Sequence, residues 1–538
     1  MQTQKLSIGF AALLAIFAVT MLTTAAPAAA QSERVLYSFN PDSETGFLPF
    51  AALIRDAAGN LYGTTSRGPG NGHKGGTVFE LTEIGGAWTL KTLHTFGIGT
   101  DGVRPQSSLI FDVEGNLYGT TSAGGANNGG IVFELSPKAG GGWTEKILHN
   151  FGSSGDGASP LAGLILDASG NLYGTTYSGG SGTANEICQY SGGTTAGCGT
   201  AFELTPTAGG NWTEKILYNF GNSFYDAANP QAGLIFDAAG NLFGTTFGGG
   251  SGLFCTIIGG PGAGCGTAFE LTPAAAGEWT EKILYNFGMT NYSAFSPSGG
   301  LIFGAAGNLF GTTYFGGDCG ASVDRALGCG TVFELTPTAG GEWTESILYN
   351  FGFLPDPSGP QGGVIFDAAG NLYGASYGGG ATPICSNDSS RCGTVYKLKP
   401  AAGGVWDETL LHSFGAGDDG DQLFAGLVLD AAGTLYGTTA GGGAYNSGTV
   451  FEILNIPRPR IFSFSPTSGP VGTTVVITGK NFTGATEVTF HDQKMATFTL
   501  DSDTQITATV PADAITGVIC VWTGAGNADL STLFTVTP

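Results

Sequence analysis

One recurring phrase limits what this chain can fold into. The step Leu-aromatic-Gly, set in Asp-Ala-Ala-Gly-Asn-Leu-Tyr-Gly-Thr-Thr or a close variant, begins at Leu61, Leu117, Leu172, Leu242, Leu309, Leu372 and Leu435, at intervals of 55 to 70 residues. A unit of that size cannot bury its own apolar face, so the copies must stack on one another. Within each unit four short apolar runs are separated by Gly-rich turns. In the second they are Ser108 to Phe111, Asn116 to Thr121, Ile131 to Leu135 and Trp143 to Phe151. The Asp-x-x-Gly-Asn between the first two runs is hairpin chemistry: Asp bonds nearby amides, and Gly or Asn accepts positive φ. The fourth run carries apolar groups on both faces, as in Trp212, Ile216, Leu217 and Phe220, which suits a sheet stacked between two others.

Counting runs by type separates an open stack from a closed ring. The Trp-bearing fourth strand occurs six times, at Trp88, Trp143, Trp212, Trp279, Trp343 and Trp406, and the seventh repeat stops after its third strand, Thr449 to Leu454. An orphan strand lies near the N-terminus, at residues 34–39. The expectation is a seven-bladed β-propeller over residues 31–454 in which that strand completes the last blade and hides the edges of an open array.

Residues 1–30 carry Lys5, the apolar stretch Ile8 to Met21 and Ala28-Ala29-Ala30, which reads as a secretory signal peptide. No later segment is apolar for the ~20 residues a bilayer requires, so no membrane span is expected. The formal net charge is −23 and Lys and Arg are scattered, which argues against nucleic acid as a partner. Of nine cysteines, eight fall into local pairs: Cys188 with Cys198, Cys255 with Cys265, Cys319 with Cys329, and Cys385 with Cys392. Their spacing lacks the C-x-x-C pattern of a metal site, and an exported chain favours disulfides. Cys520 is left over. Reduction of local bonds is expected to loosen loops and leave the ring folded.

The repeat phrase resembles the bacterial tandem-repeat family called GloVer over residues 34 to 454, which implies an exported architecture and no particular activity. After a linker at 455–460, residues 461–538 resemble the IPT/TIG family. The residues that carry this likeness are Ser465-Pro466-Thr467-Ser468-Gly469-Pro470-Val471-Gly472, the strand Thr474 to Thr478, and Gly479-Lys480-Asn481-Phe482. That resemblance implies an immunoglobulin-like β-sandwich serving as spacer or interaction module. The fold class expected is thus all-β, a propeller followed by a sandwich.

Differences between repeats are where function should lie. His94, His149 and His412 share one fourth-strand position with Tyr37, Tyr218, Tyr285 and Tyr349. A metal ligand would not usually alternate with Tyr, so these read as packed structural groups; His73 and His491 have no partner pattern. The hairpin residues Asp56, Asp112, Asp167, Asp237, Asp367 and Asp430, with Gly304 in the fifth repeat, read as turn formers rather than acid-base groups. Glu80, Glu134, Glu203, Glu270, Glu334 and Glu452, with Lys397 in one repeat, read as solvated partners of lysines such as Lys146 and Lys215. Asp101, Asp156 and Asp419 read as turn residues rather than calcium ligands. No catalytic residue, cofactor site or metal site is assigned.

Connectivity places the loops from strand four to the next strand one, and from strand two to strand three, on one face. The residue after strand two is aromatic in the four disulfide-bearing repeats: Tyr177, Phe247, Tyr314 and Tyr377. These form the expected ligand face, either as a recognition surface or as aromatics packed beneath their own loops. The leading expectation is a secreted or cell-surface, non-enzymatic protein that binds an extracellular polymer or protein. The alternatives are an extracellular carbohydrate-active enzyme, hydrolase or lyase, with paired carboxylates in a central pocket, and a purely structural surface protein.

Overall fold

The computed structural model describes residues 33–538 except 70–74, 98–99, 183–187, 189–196, 224, 253–263, 291–292, 319–328, 353–355, 381–391, 416–417, 455–458, 492–493 and 524–525. The segment read as a signal peptide, 1–30, lies outside the described residues. The described residues are all-β apart from 3-10 turns, one of them at Ala275–Gly277. No helix among the described residues is long and apolar enough to cross a membrane.

Each repeat forms one antiparallel sheet whose strands follow chain order from the inside outwards. In the second repeat these are Ile110–Phe111, Leu117–Thr121, Ile131–Pro137 and Trp143–Asn150. Sheets of this pattern recur from Ile54–Arg55 through to Trp406–Ser413, and the fifth carries an extra strand, Phe295–Pro297. The last repeat supplies Val428–Leu429, Leu435–Thr439 and Thr449–Ile453, and its outer strand is Glu33–Ser38, paired antiparallel with Thr449–Ile453. Arg34 adds an ion pair to Glu452 at 2.7 Å across this pairing.

The repeated phrase is explained by packing. The Gly of Leu-aromatic-Gly lies beneath a Phe of the third strand; a Cβ at Gly119 would stand 2.6 Å from the Phe133 ring and 2.8 Å from Leu109. A side chain there would push the sheet off its neighbour. Every apolar cluster of the repeat region sits between two consecutive sheets. One joins Tyr62, Val78 and Phe96 of the first to Leu117, Phe133 and Leu135 of the second. Another joins Tyr436 and Val450 of the last sheet, with Leu36 and Phe39, to Leu53, Phe79 and Leu81 of the first. Polar contacts close the same seam: Thr438 Oγ1 donates to Ala51 O at 3.0 Å, and Leu48 N to Ser447 O at 3.0 Å.

A β-bulge recurs where the outer strand pairs with the third, between Val132 and Phe133 in the second sheet and at the matching place in its neighbours. A bulge sets two successive residues against one partner and shifts the alternation of faces. Before it, Trp143 and Ile147 pack towards the first sheet; after it, Leu148 packs towards the third. This is how one strand presents apolar groups on both faces.

Beyond Arg460 a separate pair of sheets encloses its own core. Arg460–Ser465, Thr474–Lys480, Gln505–Thr509 and Thr497–Ser502 make one; Lys494–Met495, Ala485–Phe490, Ile519–Thr523 and Gly526–Asp529 make the other. Phe464, Val475, Ile477, Phe482, Phe490, Ile506 and Val521 fill the space between. Cys520 is a free, half-buried thiol on this second sheet.

Candidate functional site

The loop entering each inner strand is held in an unusual backbone state. Leu48, Arg104, Ser159, Asn229, Ser296, Gly359 and Gln422 occupy one repeat position at φ between +55° and +61°. Six of the seven are not glycine, and each such residue costs roughly 1–2 kcal/mol in this region. The strain is offset by bonds on two sides. The N–H of Asn229 donates to Cys198 O of the preceding sheet at 2.8 Å, while its own carbonyl accepts from Phe247 N of its own sheet at 3.1 Å. Arg104, Ser159, Ser296, Gly359 and Gln422 make the same cross-sheet bond, to Gly75, Gly129, Cys265, Cys329 and Cys392. In five repeats this loop also pairs as a short strand with the loop after strand two, as Gly157–Ala158 does with Ser178–Gly179. The two kinds of loop therefore share one face.

The cysteines stand at these cross-sheet bonds. Cys188 and Cys198 form a disulfide with Cα atoms 4.9 Å apart. Cys265, Cys329 and Cys392 are also disulfide-bonded, while Cys255, Cys319 and Cys385 lie outside the described residues.

Two residues after the strained position stands a residue that varies between repeats and lines one cavity: Phe50, Gln106, Leu161, Gln231, Ser298, Gln361 and Phe424. They surround a cavity of about 500 Å³, with Ser108, Gly163, Gly233, Gly300, Gly363 and Gly426 deeper down. The inner strands approach so closely there that a Cβ at Gly363 would lie 2.8 Å from Gly300 O. Among the described residues, none that lines this cavity is titratable. Its polar and aromatic chemistry is three primary amides, three hydroxyls (Ser107, Ser108 and Ser298) and two phenyl rings, with Phe50 and Phe424 edge to face at 4.8 Å.

Two of the four aromatics expected at the ligand face join this rim. Tyr377 packs on Phe424 at 4.9 Å, and the Tyr177 hydroxyl is hydrogen-bonded to Gln231 while burial pushes its pKa up. Tyr314 packs on Phe315 at 4.5 Å, a neighbour in its own strand, and all four rings are half-buried. Tyr177 and Tyr377 thus reach across the seam to the next repeat rather than lying only under their own loops. The seven rim residues escaped the sequence reading; their signal is a variable residue just after a Pro that recurs in six repeats.

The hairpin Asp residues are consumed by their turns. Asp56 accepts from Asn60 N at 2.9 Å and Asn60 Nδ2 at 2.8 Å. In Asp112 and Asp367 burial pushes the pKa up, but the hydrogen bonds from Asn116 and Asn371 outweigh it and hold both carboxyls below the usual range. Glu80 accepts from the Tyr62 hydroxyl at 2.9 Å, and Glu134 lies 3.9 Å from Lys146. Lys215 stands opposite Glu203 in the strand register, and its Nζ donates to Gly277 O in the next sheet's outer hairpin.

The outer seams hold a constellation of a different kind. His149 Nε2 is 3.2 Å from Asp156 Oδ2 and 3.5 Å from Glu214 Oε2, a residue of the next sheet. His94 stands 3.3 Å from Asp101 and 3.7 Å from Glu145; His412 is 3.0 Å from Asp419, with Glu33 completing the group. Tyr218 replaces His in the same layout, bonded to Asp226 at 3.1 Å and to Glu281 at 3.2 Å, whereas Tyr285 bonds Glu345 alone. The bulge makes this possible, since it turns His149 to the face opposite Glu145. Burial first, then the neighbouring Asp, raises the carboxyl of Glu281 to about 9 and those of Glu145 and Glu214 to about 7. Burial lowers the His149 pKa, but the Asp156 hydrogen bond and the charges of Glu214 and Asp156 leave it raised. Sequence reading missed these Glu residues. Their signal was Trp-x-Glu, which fails only at Leu90, opposite the seam where Tyr37 meets Thr45 instead of an Asp.

Among known families, the Gloeobacter/Verrucomicrobia repeat matches residues 24–191 and 252–498. No curated protein matches the chain. Solved structures similar in shape include a fungal alcohol oxidase of the AA5 family in complex with copper, at 16% identity and a TM-score of 0.43, covering 94% of this chain and 100% of that one. Others are a PL25 ulvan lyase, at 10% identity and a TM-score of 0.43 over 76% of this chain and 94% of that one, and an ancestral GH74 enzyme, at 12% and 0.45 over 76% and 48%. At these similarities nothing about activity is carried over.

Proposed function

The chain belongs to the Gloeobacter/Verrucomicrobia repeat family, and from that premise we propose that it is an exported, non-enzymatic binding protein. In this reading residues 31–454 make a seven-bladed β-propeller, 461–538 an IPT/TIG-type immunoglobulin-like sandwich, and 1–30 a cleaved signal peptide. The ligand enters at the axial cavity on the face that carries the strained loops.

The observation that carries the proposal is the chemistry of that cavity. Amides, hydroxyls and aromatic rings can hydrogen-bond and stack on an uncharged polar chain, and a concave site with few fixed polar groups is what recognition requires. Glycosidic cleavage by the usual route needs an acid and a second carboxylate flanking the bond. Among the described lining residues neither is present, nor is a side-chain base for the proton abstraction of a lyase, which favours binding over both enzyme readings.

A panel of neutral and uronate-containing oligosaccharides, followed both for binding and for new chain ends, tests this. Binding of a neutral oligosaccharide without turnover, weakened at least about tenfold by Phe50→Ala with Phe424→Ala, is expected. Release of new chain ends by the wild type would establish the enzyme instead. Retention of full affinity in the double variant would remove the ligand from this cavity.

A further inference from the structure

Three of the outer seams differ from the rest in a way that packing does not require. At each, an imidazole takes the place that Tyr holds in the other repeats, and it meets one carboxylate from its own exit loop and one from the outer strand of the following sheet. We propose that these three seams, His94–Asp101–Glu145, His149–Asp156–Glu214 and His412–Asp419–Glu33, are divalent transition-metal sites. Each would take one ion of the zinc class through His Nε2 and two carboxylate oxygens.

The geometry is that of a ligand set. In every group the three donor atoms lie within 4.8 Å of one another. A tetrahedral ion bound at ~2.0–2.1 Å places its ligands about 3.3–3.4 Å apart, and the measured separations from Nε2 run from 3.0 to 3.7 Å. Two features pre-set the donors. The imidazoles stand edge to face on Phe96, Phe151 and Phe414, each at 4.6 Å. The Asp Oδ1 atoms accept from the next backbone N–H, of Gly102, Gly157 and Gly420, at 2.7, 2.6 and 2.8 Å, which leaves Oδ2 turned to the ring. Orientation of a ligand by a bond to its other atom is the outer-shell arrangement that metal sites use.

Charge supplies the second argument. Each group brings two carboxylates together in a partly buried seam, and Oε1 of Glu33, Glu145 and Glu214 is buried there with no hydrogen-bond partner among the described residues. The same oxygen is unpartnered in Glu281, Glu345 and Glu408, where the facing group is a Tyr hydroxyl. Where His replaces Tyr the imidazole adds a nitrogen donor, and a divalent ion balances the formal charges of Asp and Glu. One nitrogen and two oxygens, with a position left for water, suit Zn²⁺, Co²⁺ or Mn²⁺; Ca²⁺ wants six to eight oxygens.

The chain itself provides the control. Because Tyr fills this position in other repeats, His94→Tyr, His149→Tyr and His412→Tyr should fold. Full-length protein stripped with chelator and titrated with ZnCl₂ should bind three equivalents by calorimetry. Each His→Tyr replacement should remove one, and the triple variant should bind none at these seams while keeping the circular dichroism of the metal-free wild type. Co²⁺ should give a visible ligand-field absorption that falls by about one third with each replacement. Fewer than three equivalents, or Zn²⁺ binding and Co²⁺ absorption untouched by the triple replacement, would overturn the proposal.

Discussion

At the scale of single residues, the seam carboxyls set how stability should vary with pH. Glu281 faces Tyr218 and Asp226, and its folded pKa of about 9 lies well above the ~4.3 of an unfolded Glu. A raised folded pKa means that stability is fully present below the unfolded pKa and is lost as pH rises through the folded one. Glu281→Gln keeps a donor for Asp226 and removes the titration. The variant should match the wild type near pH 4 and exceed it by about 1–3 kcal/mol at pH 8 in urea unfolding; an unchanged pH profile would contradict this. Tyr396 offers a second case. Six repeats place Phe at this site, and Tyr396 is fully buried with its hydroxyl unpartnered. Tyr396→Phe should therefore raise stability by about 1 kcal/mol or more, and a loss would point to a hidden partner. The turn role of Asp56 and its counterparts was readable from the repeat because the reason is local. The Glu of Trp-x-Glu was not, because its partner comes from another repeat and from a face that only the bulge defines.

Among the elements, strands and their hairpins were legible because each carries its own chemistry: alternation, the Asp-x-x-Gly-Asn turn and the Gly beneath Phe. The disulfide between Cys188 and Cys198 was legible from spacing alone. Its setting was not. The sequence suggests a staple inside a loop, whereas Cys198 O accepts the bond from Asn229 N that ties one sheet's entry loop to its neighbour. Cys188→Ser with Cys198→Ser should cost about 2–3 kcal/mol in the chain-entropy account. The cost should come with faster amide exchange at Asn229 and Phe247, on the far side of the bond. Loss of protection confined to the loop between the two cysteines would mean that the staple is local after all.

For the whole molecule, order in the sequence and order in space disagree at a single strand. Glu33–Ser38 is made first and sits at the outside of the last sheet, where Leu36 and Phe39 enter a core shared with the first. Burying two such side chains is worth roughly 3–6 kcal/mol, and without them Thr449–Ile453 becomes an open edge. Deleting 31–39 should lower the melting temperature and promote aggregation, and a synthetic peptide of residues 33–39 should reverse both in part. A truncated protein that melts like the wild type would show that the strand is dispensable. This pairing was inferable only by counting strand types across the full chain, since no single repeat contains the information.

The same strand imposes a schedule. Ser38 and Ala444, hydrogen-bonded across the closing sheet, are 406 residues apart. A ribosome adding 5–20 residues per second separates their appearance by roughly 20–80 s. Throughout that interval the early strand has no partner, while each completed repeat can dock on the one before it. The pairing of Glu33–Ser38 can form only once Thr449–Ile453 has been made, so the last sheet is completed late, and the time before that is when the chain has most need of a chaperone.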